Sequence, residues 1–202
     1  VNGYAVPFGQ QPYAISYEIV TPTIFIDYPF GGESFVPGTI EIIRWTANDD
    51  DVNTFTIQYS DNNGATWQIL NAAVAATSRN FSFTIPSNIS NHGLIKVTRN
   101  ITGVTAQSSF NFSVLGQPDV TPSNICEGYI NLDWPGVNGA TSYDIFMLKG
   151  DSMQVIANTA NNFYLVKGLN ITKNYWLAVA AKNGLITGKR SLAKFVTPTS
   201  GP

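Results

Sequence analysis

One cysteine, one histidine and few charges set the limits for this 202-residue chain. With Cys126 alone, no internal disulfide can close and no cysteine-based metal site can assemble, so a buried structural thiol is the expected role. With His92 alone, a Ser-His-Asp relay has one candidate proton shuttle. That residue stands in the turn-like SNHGL (90–94), and no G-x-S-x-G elbow accompanies it, so an exposed loop histidine is expected. Charged residues make up 12% of the chain, about half the usual share. The formal net charge is −2 and the 11 Lys and Arg are scattered, which excludes the basic stripe of a nucleic-acid binder. No apolar run approaches the roughly 18 residues that span a bilayer. No basic segment leads into an apolar one, so no signal peptide is expected in it. The opening VNGYAVPFGQQPYAISYEIV reads as the middle of a longer polypeptide. No segment carries a capped helical stripe.

What the chain has is Asn, Thr, Ser and Gly at its polar positions, with hydrophobic residues at 44%. Low charge with abundant Asn and Thr suggests a secreted or cell-surface protein. Five N-x-S/T sequons occur, at Asn80, Asn88, Asn100, Asn111 and Asn170, several of them inside expected strands. The periodic segments alternate with period two. TFTIQYS (54–60) puts Phe55, Ile57 and Tyr59 on one face, NFSFTI (80–85) does so with Phe81, Phe83 and Ile85, and SFNFSV (109–114) with Phe110, Phe112 and Val114. Ile43 pairs with Trp45, and Ile95 with Val97. Turn clusters of Gly, Pro, Asn and Asp separate these runs, the pattern of antiparallel sandwiches with one dry face per sheet. LGQPDVTPS (115–123) reads as a boundary. Strands are expected beyond it at 129–134, 141–149, 153–159, 162–167, 174–182 and 191–197. The fold class is therefore all-β: an upstream strand segment (1–22), then two tandem sandwiches over 23–115 and 116–202.

Three parts of the chain resemble known families. INLDW with Trp134, GATSYDIFM with Tyr143 and Ile145, GLNITKNYWLAVAAKN with Leu169 and Tyr175, and GKRSLAKFVTP together resemble a fibronectin type III domain. Trp134 supplies a large aromatic for the sandwich centre. Tyr175 stands where a tyrosine corner would bond back to the preceding loop. PFGGESFVPGTIEIIRW (29–45, ending on Trp45), YSDNNGATW (59–67) and FTIP (83–86) resemble the Ig-like modules of secreted multimodular bacterial proteins, related to Ser/Thr-rich cell-wall proteins. That resemblance implies no catalytic role. The opening 20 residues resemble the end of the β-sandwich after the catalytic domain of some subtilisin-like serine peptidases. This implies a secreted protease parent whose triad lies outside this chain.

SDNNGATW (60–67) is nearly the Asp-box motif S-x-D-x-G-x-T-W of sialidases and other β-propeller glycosidases, with Asn62 in place of the Asp. One copy cannot make a propeller, which needs repeated blades of about 40 residues. The stretch is expected to fold as a hairpin in which Asn62 caps the turn, Gly64 takes a positive φ and Trp67 drops into the core.

Glycosidases need two carboxylates at a defined separation. Asp27, Glu33, Glu41, Asp133 and Asp144 are candidates, but each lies on a strand or turn motif where exposure or turn bonding accounts for it. NDDD (48–51) lacks the ligand spacing of a calcium loop and reads as a solvated run of like charges. No cofactor and no metal is expected. The remaining candidate is aromatic. If Tyr175, Leu177, Val179 and Ala181 face inward, then Trp176, Ala178 and Ala180 face outward beside Phe146 and Leu148. Such a surface could stack on sugar rings or dock a neighbouring domain, though cover by loops and ordinary cross-strand pairing explain it more simply. The reading is of non-catalytic accessory modules, spacing or docking, in a secreted multidomain enzyme. The alternative is a carbohydrate-binding or adhesive module centred on Phe146 and Trp176. Upstream domains of the same polypeptide are the expected partners, with a polysaccharide or protein substrate as a further candidate.

Overall fold

The computed structural model describes residues 15–17, 23–48, 52–126 and 128–198, with the side chains of 124–126 outside that description. The expectations for the upstream segment (1–22), for the Asp49–Asp51 run and for the Cys126 thiol fall outside the described residues, apart from an exposed Ile15 and Tyr17.

The described residues contain strands and turns and no helix. The first module holds β1 (Ile24–Tyr28), β2 (Ser34–Phe35), β3 (Ile40–Ala47), β4 (Thr54–Ser60), β5 (Gln68–Ala75), β6 (Asn80–Thr84), β7 (Ser90–Arg99), β8 (Thr105–Gln107) and β9 (Phe112–Val114). The second holds β10 (Thr121–Cys126), β11 (Tyr129–Asp133), β12 (Ser142–Lys149), β13 (Ser152–Thr159), β14 (Phe163–Lys167), β15 (Tyr175–Asn183), β16 (Ile186–Thr187) and β17 (Lys194–Val196).

In the first module β1-β3-β6 form one sheet. The other runs β2-β9-β7-β4-β5, with β8 also on β7. Alternation places Ile43 and Trp45 of β3 against Phe55, Ile57 and Tyr59 of β4, all at most 3% exposed. Trp45 meets Phe55 edge-on at 5.5 Å, and Tyr59 stacks on Phe112 at 6.0 Å. Burying rings of this size supplies much of a small sandwich's stability, about 1.5–3 kcal/mol each for a Phe. Phe110 departs from its expected face. Its N–H bonds to the Phe30 carbonyl at 3.0 Å before β9 begins, so the ring stays exposed and meets Phe30 edge-on at 5.7 Å.

In the second module β10-β11-β14 face a sheet ordered β13-β12-β15, with β16 and β17 both pairing the free side of β15. Its core is centred on Leu132, Trp134, Tyr143, Ile145, Leu177 and Val179. Trp134 packs edge-on against Tyr143 at 5.1 Å, and the Tyr143 hydroxyl accepts the Val137 N–H at 3.0 Å. Tyr175 forms the corner bond: its hydroxyl oxygen accepts the Asn170 N–H at 2.8 Å, across the loop that Leu169 anchors from the core. Leu115 joins the second core, although its own N–H bonds Phe35 of the first module.

Candidate interaction surface

The hairpin after β4 is held by side chains. The Ser60 hydroxyl donates to Asn62 Oδ1 (2.9 Å) and accepts the Gly64 N–H (2.9 Å). Asn62 Oδ1 also accepts the Thr66 N–H (3.0 Å), while Asn62 Nδ2 lies 2.7 Å from the Thr66 hydroxyl. Gly64 takes φ +82°, and Asn63, which the sequence reading passed over, takes φ +60°. Trp67 does not reach the core. It lies half-buried on the surface with Lys96 Nζ 4.1 Å above its ring, and its ring would sit 3.2 Å from a side chain at position 64. The ring lies between Gly64 of the turn and the Lys96 ammonium, and so covers the turn.

The candidate catalytic groups do not converge. His92 is exposed, within β7 and not in a turn, and its ring nitrogen lies 3.4 Å from Asn111 Nδ2. Glu33 accepts the Phe30 and Gly31 N–H groups at 2.9 and 2.8 Å, fixing the loop before β2. Glu41 accepts the Tyr28 hydroxyl at 3.1 Å. Asp133 binds Ser123 and Asn131 on one sheet face. Asp144 pairs with Lys182 at 3.4 Å and accepts from Asn158 at 2.8 Å. Asp27 is exposed on β1. Among the described residues no three His, Cys, Asp or Glu side chains gather as a metal site, and no helix is long and apolar enough to cross a membrane.

The outer face of the β13-β12-β15-β17 sheet is different in kind. Trp176 of β15 lies opposite Phe195 of β17 in the strand register, and the two rings touch at 4.8 Å with a 48° tilt. They remain 42% and 55% exposed. Leu148 of β12 and Val155 of β13 extend the apolar surface. Phe146, paired with Val155 on one side and Ala178 on the other, is half-buried. Its ring is covered by the Arg190 guanidinium, 5.4 Å from the centroid, a cation–π distance. Ala178 and Ala180 point outward by register but are closed off from solvent, because methyl groups lie lower than the larger side chains beside them. The surface is therefore an aromatic pair with aliphatic neighbours and the Arg190 guanidinium. Phe195, Val155 and Arg190 are the members that alternation in β12 and β15 did not single out. Phe195 carried the same alternation signal as Trp176; Arg190 comes from a loop and carried none.

No protein-family model and no curated protein matches the chain. Solved structures do. A two-domain fibronectin type III segment of chicken tenascin aligns with 87% of this chain and 97% of its own, at 13% identity and a TM-score of 0.46. Domains FN1–FN3 of chicken CNTN1 align over 84% of this chain and 62% of theirs, at 15% identity and a TM-score of 0.39. A single domain described as FN3tt mut covers 41% of this chain and 94% of its own, at 23% identity and a TM-score of 0.37. These structures are what the chain is similar to; its own strand order shows two β-sandwiches in tandem.

Proposed function

We propose that the chain is a non-catalytic docking and spacing unit of a secreted multidomain enzyme, and that the parent is a subtilisin-like serine protease. The observation that carries the docking role is the exposed Trp176–Phe195 pair beside Leu148 and Val155 on one sheet face. Large exposed aromatics grouped on one face are typical of sites that another surface covers. The protease parent is supported by the resemblance of the opening 20 residues to the end of a subtilisin-associated β-sandwich. A non-catalytic role agrees with carboxylates and a histidine that are each engaged locally or exposed apart.

A second reading, carbohydrate binding or adhesion, is favoured by one feature, the exposed indole of Trp176. The 48° tilt leaves the two rings non-coplanar, so a sugar would stack on one of them and not across both. Binding of the chain to immobilised denatured casein, and separately to peptidoglycan and chitin, tests the two readings. Retention on casein that Trp176→Ala weakens roughly 10–30-fold, as for an interfacial Trp, supports docking to protein. Retention on a polysaccharide with the same loss supports the second reading. Retention unaffected by Trp176→Ala, or none, overturns this surface as the site. Hydrolysis of casein or of an aryl glycoside by the purified chain overturns the non-catalytic role.

A further inference from the structure

Phe146 and Trp176 belong to the second module, yet the segment carrying the cation over Phe146 is held in part from the first module and from the crossing between the two. Arg190 lies on the segment from Thr187, the last residue of β16, to Ser191, on the way to β17. Its own module holds this segment through the Gly188 N–H on the Ala181 carbonyl (2.9 Å) and the Ser191 N–H on the Val179 carbonyl (2.8 Å). The other side of the segment faces the first module. The hydroxyls of Ser34 and Ser113 each lie 3.0 Å from the Thr187 carbonyl oxygen, whose two lone pairs can accept both. Gln117, just past the end of the first module, donates its side-chain amide to the Arg190 carbonyl at 2.6 Å. Between these bonds Gly188 rests on the chain crossing from one module to the other. A methyl group there would sit 2.9 Å from the Gly116 carbonyl oxygen and 3.3 Å from the Leu115 side chain.

We infer that Ser34, Ser113 and Gln117 are positioning residues of the docking surface. Ser34 and Ser113 of the first module and Gln117 of the crossing clamp the Thr187–Arg190 backbone so that the Arg190 guanidinium stays over Phe146. Without the clamp, a long exposed arginine has many rotamers of similar energy, and holding one costs side-chain entropy. A cation–π contact at an exposed site is too weak to offset that cost alone. A fixed backbone narrows the choice and tips that balance. The surface presented to a partner, apolar with one placed cation, is thus a property of the two modules together.

The inference rests on the docking reading for its functional meaning, but its test needs no partner. In the full chain, the Arg190 side-chain protons should be shifted upfield by the Phe146 ring current. In S34A/S113A, and separately in Q117A, these signals should move toward random-coil positions, while the methyl resonances of Ile145 and Val179 in the core keep their wild-type shifts. G188V, which wedges the crossing apart, should give the same change as an independent route. Arg190 shifts that stay at wild-type values in both S34A/S113A and Q117A overturn the inference, as does an Arg190 already at random-coil shifts in the wild type. Failure of the casein and polysaccharide assays overturns the docking reading instead and leaves the shift result standing.

Discussion

Tyr59 and Tyr28 each carry a hydroxyl whose surroundings disfavour its ionised form. Tyr59 is 3% exposed, and its hydroxyl has no hydrogen-bond partner among the described residues. Burial, helped by the charge of Asp61, pushes its pKa up to about 12. Tyr28 is raised to about 12 by burial first and then by Glu41, whose carboxylate accepts its proton. In the unfolded chain both titrate near pH 10. Between about pH 10 and about pH 12 the unfolded state therefore binds fewer protons than the folded state, and stability falls as pH rises through that window. Below pH 10 both groups are neutral in either state and their contribution is fully present. Urea midpoints measured from pH 9 to 12 should show this decline. Tyr59→Phe should flatten part of it. At pH 7 the same change should be neutral or stabilising by up to about 1 kcal/mol, because it removes a buried hydroxyl that has no partner.

At the scale of the element, side chains hold the turn after β4 more than backbone bonds do. Asn62→Ala should cost about 1–2 kcal/mol, since it removes the acceptor shared by Ser60 and Thr66. Asn62→Asp, the residue of the sialidase motif, should stay within about 0.5 kcal/mol of wild type in a urea titration: the carboxylate keeps both acceptances, and the Thr66 hydroxyl can turn to donate. The capping role of Asn62 and the positive φ of Gly64 were legible in the sequence; the outward Trp67 was not, because alternation says nothing about a ring that folds back over its own turn. The same distinction runs through the strands. β4, β7, β12 and β15 are internal strands, and their alternating residues announced them. β5 was not legible. It lies at a sheet edge, its register on β4 shifts twice, and of its residues only Val74 is buried. β10 is likewise an edge strand with a bulge, and opens on a Thr-Pro-Ser run that reads as linker. On the proposed docking surface, Trp176 could be placed by its parity in β15. Arg190 could not, because its position depends on contacts from residues distant in sequence.

For the whole molecule, two sandwiches in tandem were legible from the spacing of strands and turns, but the way they share residues was not. Leu115 follows the last strand of the first module, yet its fully buried side chain completes the second core. Ile89, between β6 and β7, packs against that same core, and a side chain at Gly139 would collide with it. Neither residue can keep its contacts if one module unfolds while the other stays intact. Unfolding the second module strips the packing from Leu115, and unfolding the first withdraws Ile89. Leu115→Ala should therefore cost about 2–5 kcal/mol, the range for emptying a fully buried leucine, and the loss should fall across both modules. In differential scanning calorimetry the wild-type chain should unfold in one endotherm with calorimetric and van't Hoff enthalpies that agree. Leu115→Ala combined with Ile89→Ala should resolve it into two, because each module then melts on its own stability. Two separate endotherms in the wild type would show instead that the shared residues add little to either module. A chain that melts as one unit is also what a spacer requires, since a joint that held only weakly would not fix the distance or direction between its ends.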